Sequence, residues 1–244
     1  VLGLIALTPV AVFCGGGVNP QSLEYALGIL TAGFLLPLVR PGHGVAARLT
    51  GGAISAAALC LVRPNSALWA LFILLMVVAA IPVRRWWAWH TMRQFWAALA
   101  MVAGGGLIAV IWLYLARQSG AVDVNANPSS VPALWDFTWT GLVEYLRQAI
   151  GTVGWLDVPM VDLPFLLIVG TVAGLWFVAV TSAPLRRSVV LLVAMLAMPF
   201  ISIGVQLPTI STIGIIWQGR YILSLLIVIT LAAISWVDAE APRS

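Results

Sequence analysis

An all-α, polytopic transmembrane protein is the fold class this sequence predicts, and three observations predict it. Hydrophobic residues make up 62% of the 244 and charged residues only 8%, for a mean hydropathy of +1.06. An ordinary soluble domain spends roughly a quarter of its residues on Asp, Glu, Lys and Arg to keep its surface wetted. The apolar residues come in runs close to the ~20 needed to cross a bilayer. The acids are segregated: Asp123, Asp136, Glu144, Asp157 and Asp162, five of the eight, fall in one polar interruption at 117–162.

About eight spans are expected, at 1–15, 22–39, 45–62, 66–83, 95–116, 163–181, 188–205 and 221–237. The chain starts at Val1 inside an apolar run, without methionine and without a basic n-region, so 1–15 reads as a truncated span rather than a signal peptide. Residues 1–244 then form one transmembrane domain with the loop 117–162 inserted between spans. Pro37 and Pro199 should bend or end their helices locally, and Gly104–Gly106 should do the same for the span that enters the loop. Gly51, Ser55 and Ala56 are small enough to let neighbouring helices approach. Cys14 and Cys60 both lie in apolar runs, where packing is the expected role and a disulfide the alternative.

Within the loop, Asn125–Pro132 is turn chemistry. From Trp139 to Ile150, the residues Leu142, Tyr145, Leu146, Ala149 and Ile150 recur at helical spacing with Glu144, Arg147 and Gln148 between them. That pattern predicts an amphipathic interfacial helix on the surface. Gly151 and Gly154 then break it and return GWLDVP, at Gly154–Pro159, towards the membrane.

All twelve basic residues are Arg. Arg40, Arg48, Arg84, Arg85, Arg93, Arg186, Arg187 and Arg243 fall on one side of the expected spans, and Arg63, Arg117, Arg147 and Arg220 on the other. The positive-inside rule puts the first set in the cytoplasm, the long loop outside and the C-terminus inside. The scatter of the arginines between spans excludes a nucleic-acid stripe. Arg84–Trp96, RRWWAWHTMRQFW, interleaves Arg with Trp as an interface belt. His43 and His90 lie on that inner side without Cys, Asp or Glu at ligand spacing, which argues against a metal centre there.

No expected span carries a charge near its middle; Glu24 and Arg48 lie closest. Pumps and transporters usually place ionisable groups at membrane depth, so the polar chemistry is sought on the outer side. Four stretches gather there: VNPQSLE at Val18–Glu24, the tight turn at Arg63–Asn65, GWLDVP, and WQGRY at Trp217–Tyr221. Arg220, beside Gln218 and Tyr221 at the head of a span, is placed to hold a phosphate or to anchor in headgroups. Arg63, with Asn65, has the same two readings. Asp157, next to Trp155, can accept a proton, bind sugar hydroxyls or cap its own turn. Glu24, with Asn19, is either a binding residue or a first-turn acid favoured by the helix dipole.

In these stretches the chain resembles a bacterial family of multi-pass membrane proteins known as domain of unknown function 2142. VNPQSLE, RPNSALW at Arg63–Trp69, GWLDVP and QGRY carry the resemblance, in that order. The family usually continues the last as GRYLLP; here it reads GRYILS, with Ser224 in the proline's place. The resemblance implies a GT-C-like glycosyltransferase of the bacterial cytoplasmic (inner) membrane. Such an enzyme takes a sugar from a polyprenyl-phosphate donor and passes it to a cell-envelope acceptor outside. Its essential acid is expected in a first outer loop upstream of Val1, which leaves Asp157 as the catalytic candidate in this chain.

On this reading Arg220, Tyr221, Gln218, Trp155, Asp157, Arg63, Asn65, Asn19 and Glu24 are the candidate binding residues. The expected partners are membrane lipid and a polyprenyl-phosphate-linked sugar. No cofactor, metal ligand set or nucleic acid is predicted, and a divalent-metal requirement is not legible. The alternatives are a non-enzymatic flippase, export or scaffold protein for envelope polysaccharide, or a small-solute transporter.

Overall fold

Backbone amides inside hydrocarbon have no water to bond, so each apolar run closes its own hydrogen bonds as a helix. The computed structural model describes residues 8–16, 19–40, 42, 44–63, 65–118, 128–153, 158–208, 210–215 and 217–238. In chain order the helices are α1 (Pro9–Gly16), α2 (Pro20–Leu35), α3 (Val45–Val62), α4 (Ser66–Ala80), α5 (Val83–Trp89) and α6 (Arg93–Gln118). They continue as α7 (Val131–Thr140), α8 (Leu142–Ile150), α9 (Asp162–Ser182), α10 (Leu185–Gln206) and α11 (Leu223–Asp238). Short 3-10 turns follow α2 at Leu36–Val39 and precede α11 at Gly219–Ile222. A two-residue antiparallel pairing, β1 (Thr152–Val153) with β2 (Val158–Pro159), sits between α8 and α9.

Among the described residues, six segments are long and apolar enough to span: Pro20–Val39, Val45–Val62, Arg93–Leu115, Asp162–Ser182, Leu185–Gln206 and Gly219–Val237. The stretch expected at 66–83 differs from a straight span. Its helix α4 ends at Ala80, and α5 leaves at 108° to it. Pro82 explains the break, because it cannot donate the amide that would carry α4 onward. The α4–α5 pair counts as a seventh span if taken together. Of the expected first span at 1–15, residues 8–15 are described, and α1 begins within it at Pro9 and ends at Gly16.

The last span is the centre of the molecule. Sixty-seven per cent of its apolar window is buried within the protein, against 11% for both α6 and α9, which lie at the periphery. Its neighbours are α2, α9 and α10. Hydrogen bonds reinforce the apolar packing: Trp176 Nε1 donates to Thr230 Oγ1 (3.0 Å) between α9 and α11, and Thr31 Oγ1 to Ser55 Oγ (3.1 Å) between α2 and α3.

At the face opposite the long loop, arginines cap helix C-termini, whose last carbonyls have no intrahelical donor. Arg40 Nη2 donates to Ser235 O at 2.5 Å, Arg48 Nη1 to Pro37 O at 3.2 Å, and Arg186 Nε to Ala79 O at 2.6 Å. Arg85 donates to Val39 O. The basic residues that mark this face in the sequence are therefore also what closes it.

The expected effect of Pro37 is seen in the switch from α2 to the 3-10 turn. The expected break at Gly104–Gly106 is not: α6 runs through it unbroken. The reason is packing. A Cβ on Gly105 would come within 2.9 Å of Ala57 Cα, whereas Gly104 and Gly106 have nothing within 4 Å. Gly105 is the point at which the backbones of α6 and α3 touch. Cys14 and Cys60 are free and buried.

This contrast makes a prediction. Gly105→Ala should destabilise the α3–α6 contact by about 1–3 kcal/mol, the usual cost of overpacking. Gly104→Ala and Gly106→Ala should be neutral or stabilising through helix propensity. Thermal unfolding in detergent of the three variants side by side would check it; equal melting temperatures would contradict the assigned contact.

Candidate functional site

The polar chemistry of the spans converges on Glu24. Pro20 at the first turn and Asn19 as N-cap start α2, the Asn19 side chain accepting from Gln21 N at 2.9 Å. This places Glu24 in the second turn, where the peptide amides are already paired. The dipole reading of Glu24 as a first-turn acid is thereby corrected, because its carboxylate is used across helices instead. Ser66 Oγ of α4 donates to Oε2 at 2.6 Å, Trp69 Nε1 of α4 to Oε1 at 3.1 Å, and Ser224 Oγ of α11 to Oε1 at 3.0 Å. Glu24 is 2% exposed. Its side chain thus accepts three bonds from two other helices, α4 and α11, and Tyr25 adds a fourth tie by donating to Arg220 O at 3.1 Å.

From this knot an aromatic series leads to the loop face. Trp69 meets Trp217 edge-on at 6.2 Å, and Trp217 meets Tyr221 at 5.4 Å. The guanidinium of Arg63 lies 5.2 Å from the centre of the Tyr221 ring, and that of Arg220 5.9 Å. Trp217 is pinned through its backbone N–H, which donates to the buried Gln206 Oε1 at 3.0 Å. Arg63, Asn65, Gln206, Trp217 and Tyr221 line one face of a cleft of about 590 Å³, with Ala109 and Leu113 of α6 on another. Arg220 and Gln218 are not among its lining residues, so the two candidate arginines flank Tyr221 but only Arg63 borders the cleft.

Below the cleft a second, almost wholly apolar hollow of about 430 Å³ lies between α4 and α10. The two share Leu68, Gly204 and Val205 as a common border. The hollow follows Leu68, Leu71, Phe72 and Leu75 down α4, about 10 Å at 1.5 Å per residue.

The loop supplies a clasp. The expected amphipathic helix at 139–150 is α8, which begins after Gly141, while Trp139 and Thr140 are the end of α7. The turn expected across Asn125–Pro132 already becomes helix at Val131. The apolar face of α8 does not rest on lipid alone, for Tyr145, Ala149 and Ile150 are buried against the protein. Gly219 N donates to Gln148 Oε1 at 2.8 Å, and a Cβ on Gly219 would lie 2.0 Å from Tyr145 O. Only glycine lets α8 seat on the turn that carries Arg220 and Tyr221. Burial pushes the Tyr145 phenol pKa up. Arg147 pairs with Asp162 at 2.7 Å and so ties α8 to the start of α9.

Of the four motifs, VNPQSLE, RPNSALW and WQGRY thus meet. Val158–Pro159 of GWLDVP forms β2, while Trp155 and Asp157 lie outside the described residues. Gln206 carries no signal in isolation and emerges only from contact, while Gln148, Gly219 and Trp217 lie in stretches that were legible but acquire these roles only from contact. Ser66, Trp69 and Ser224 sit inside or beside the motifs that were legible.

The family model for a predicted membrane protein, DUF2142, matches residues 1–229. The chain belongs to this family. No curated protein and no solved structure matches it. The residues that gather at Glu24 and Tyr221 all fall within the stretch that the family model covers.

Two outcomes follow for this site. Glu24→Ala should leave three buried donors without an acceptor and cost about 3 kcal/mol or more, while Glu24→Gln keeps one acceptor oxygen and should cost less. Gly219→Ala should displace the Arg220–Tyr221 turn and cost about 1–3 kcal/mol, more than Gly204→Ala, which meets nothing within 4 Å. Melting temperatures in detergent would decide both.

Proposed function

We propose that this chain belongs to a GT-C-like glycosyltransferase of the cytoplasmic membrane, with the long loop outside and the C-terminus in the cytoplasm. It transfers a sugar from a polyprenyl-phosphate donor to an envelope acceptor. The observation that carries the reading is the shape of the cleft. Arg63, stacked on Tyr221, lines it, and an apolar hollow adjoins it along Leu68, Leu71, Phe72 and Leu75 of α4. That is the outline of an amphiphile with an anionic head and a long apolar tail.

In the reaction the acceptor hydroxyl attacks the anomeric carbon, the bond from that carbon to the phosphate oxygen breaks, and polyprenyl phosphate leaves with the electron pair. Arg63 meets the charge that develops on the phosphate, as a fixed donor in a site shielded from water does best. Arg220 supports it through Tyr221. The hydroxyl's proton goes to a carboxylate. Glu24 is committed to Ser66, Trp69 and Ser224 and is not that base; within this chain Asp157 is the candidate.

The test is transfer of radiolabelled sugar from polyprenyl phosphate by purified protein in vesicles. Arg63→Ala should lower turnover by about 10²–10³-fold, the usual loss for one charge-stabilising donor, and Arg63→Lys by less. Arg220→Ala should lower it too, with the protein still folded in the membrane. Relocation of the lipid-linked sugar across the bilayer without covalent transfer would replace this reading with that of a flippase.

A further inference from the structure

The loop carries an apolar face that the cleft does not use. Each residue of a helix advances about 100° round its axis, so Val131, Trp135 and Trp139 of α7 stand in one row, with Leu134 and Thr138 in the row beside it. The second row is buried. Leu134 packs with Ile203 and Ile210, and Thr138 Oγ1 donates to Leu134 O at 2.8 Å. The first row, Val131 with the two tryptophans, is exposed along its length. Asp136 and Thr140, each one residue beyond a Trp, are exposed on the other side of the helix.

What the tryptophans rest on is α10, which has two faces. Leu191, Ala194 and Met198 are buried in the core, whereas Val189, Val193, Leu196 and Phe200 are exposed at helical spacing. On a membrane-spanning helix such an exposed apolar stripe faces hydrocarbon. Trp135 and Trp139 lie against the loop-side end of the stripe. Their ring centres are 6.3 and 5.6 Å from that of Phe200 and 5.6 Å from each other. Phe200 is six residues in from the end of α10 at Gln206, about 9 Å along the helix at 1.5 Å per residue. Trp139 also borders a small apolar cavity together with Leu196, one turn further in. Helices that lie in the plane of a membrane bury their apolar face by about 5–10 Å, and Trp is enriched at that depth. Exposed indoles can also stack on sugars, but a sugar platform stands in water, and these rings lean on the lipid-facing stripe of a span.

We propose that α7 lies in the lipid of the loop-side leaflet, with Val131, Trp135 and Trp139 among the upper acyl chains and Asp136 and Thr140 turned to the headgroups and water. Because α8 buries Tyr145, Ala149 and Ile150 against the protein, α7 is the principal lipid contact of the loop. Gly141 alone separates the two helices, so the membrane also fixes the start of α8, whose Gln148 and Tyr145 close on Gly219. Lipid contact at this face is independent of sugar transfer.

The experiment uses the full chain in phospholipid vesicles, with Cys14 and Cys60 replaced by alanine and one nitroxide-labelled cysteine introduced at a time. The positions are Val131→Cys, Trp135→Cys, Asp136→Cys and Thr140→Cys, with Phe200→Cys as the reference for hydrocarbon. Power saturation is measured with oxygen, which partitions into lipid, and with a nickel chelate, which stays in water. Labels at Val131→Cys and Trp135→Cys should respond more to oxygen than to nickel, as at Phe200→Cys, and those at Asp136→Cys and Thr140→Cys the reverse. Val131→Cys leaves both tryptophans in place, so the row is read even if replacing Trp135 disturbs the fold. Equal nickel access at all four α7 positions would overturn the proposal. So would labels at Val131→Cys and Trp135→Cys that nickel reaches until an oligosaccharide shields them, which would give the face to sugar.

Discussion

A carboxylate inside a membrane protein has to be surrounded by donors, because no water is at hand to replace them. Glu24 meets that demand by drawing Ser66 and Trp69 from α4 and Ser224 from α11 onto α2. Each partner comes from a different turn or helix, so the three bonds fix both the rotation of α4 and the height of α11 relative to α2. Apolar packing between Leu, Val and Ala surfaces is far less particular about register. The knot therefore sets where the loop-face ends of these helices stand, and everything above it inherits that placement.

What it places is a graded surface. Trp69 is at once a donor to Glu24 and the first ring of the series through Trp217 to Tyr221. The rings turn a buried ionisable group into a rigid platform on which Arg63 and Arg220 rest. A guanidinium held on an aromatic face keeps its charge and most of its donors available while losing little further freedom on binding. The loop completes the platform from outside through α8, whose Gln148 and Tyr145 carbonyl close on Gly219.

The two faces solve the same problem of unpaired helix ends by different means. At the loop face the carbonyl and amide groups are met by short polar residues and by the loop's own helices. At the other face arginines reach the terminal carbonyls of α2, α4 and α11. An arginine spent this way no longer contributes a free charge, so a count of basic residues overstates the positive surface that lipids meet. Arg84 and Arg93 make no hydrogen bond or ion pair among the described residues.

Composition and run length alone determined that this is an all-α membrane protein, and seven of the expected span positions coincide with helices or the α4–α5 pair. These properties are legible because hydrocarbon forces every spanning segment to be apolar and internally bonded, which writes them into local sequence. The Trp- and Arg-rich segment at Arg84–Trp96 and the helical spacing after Gly141 were legible for similar reasons. The tertiary structure alone decided that α4 turns by 108°, that Gly105 is a contact rather than a hinge, and that three of the four motifs meet. It also decided which arginine borders the cleft, and that Glu24 serves as an acceptor between helices. Those outcomes depend on which faces of distant helices touch, and a side chain's partners 40 to 200 residues away leave no periodic trace in the residues around it.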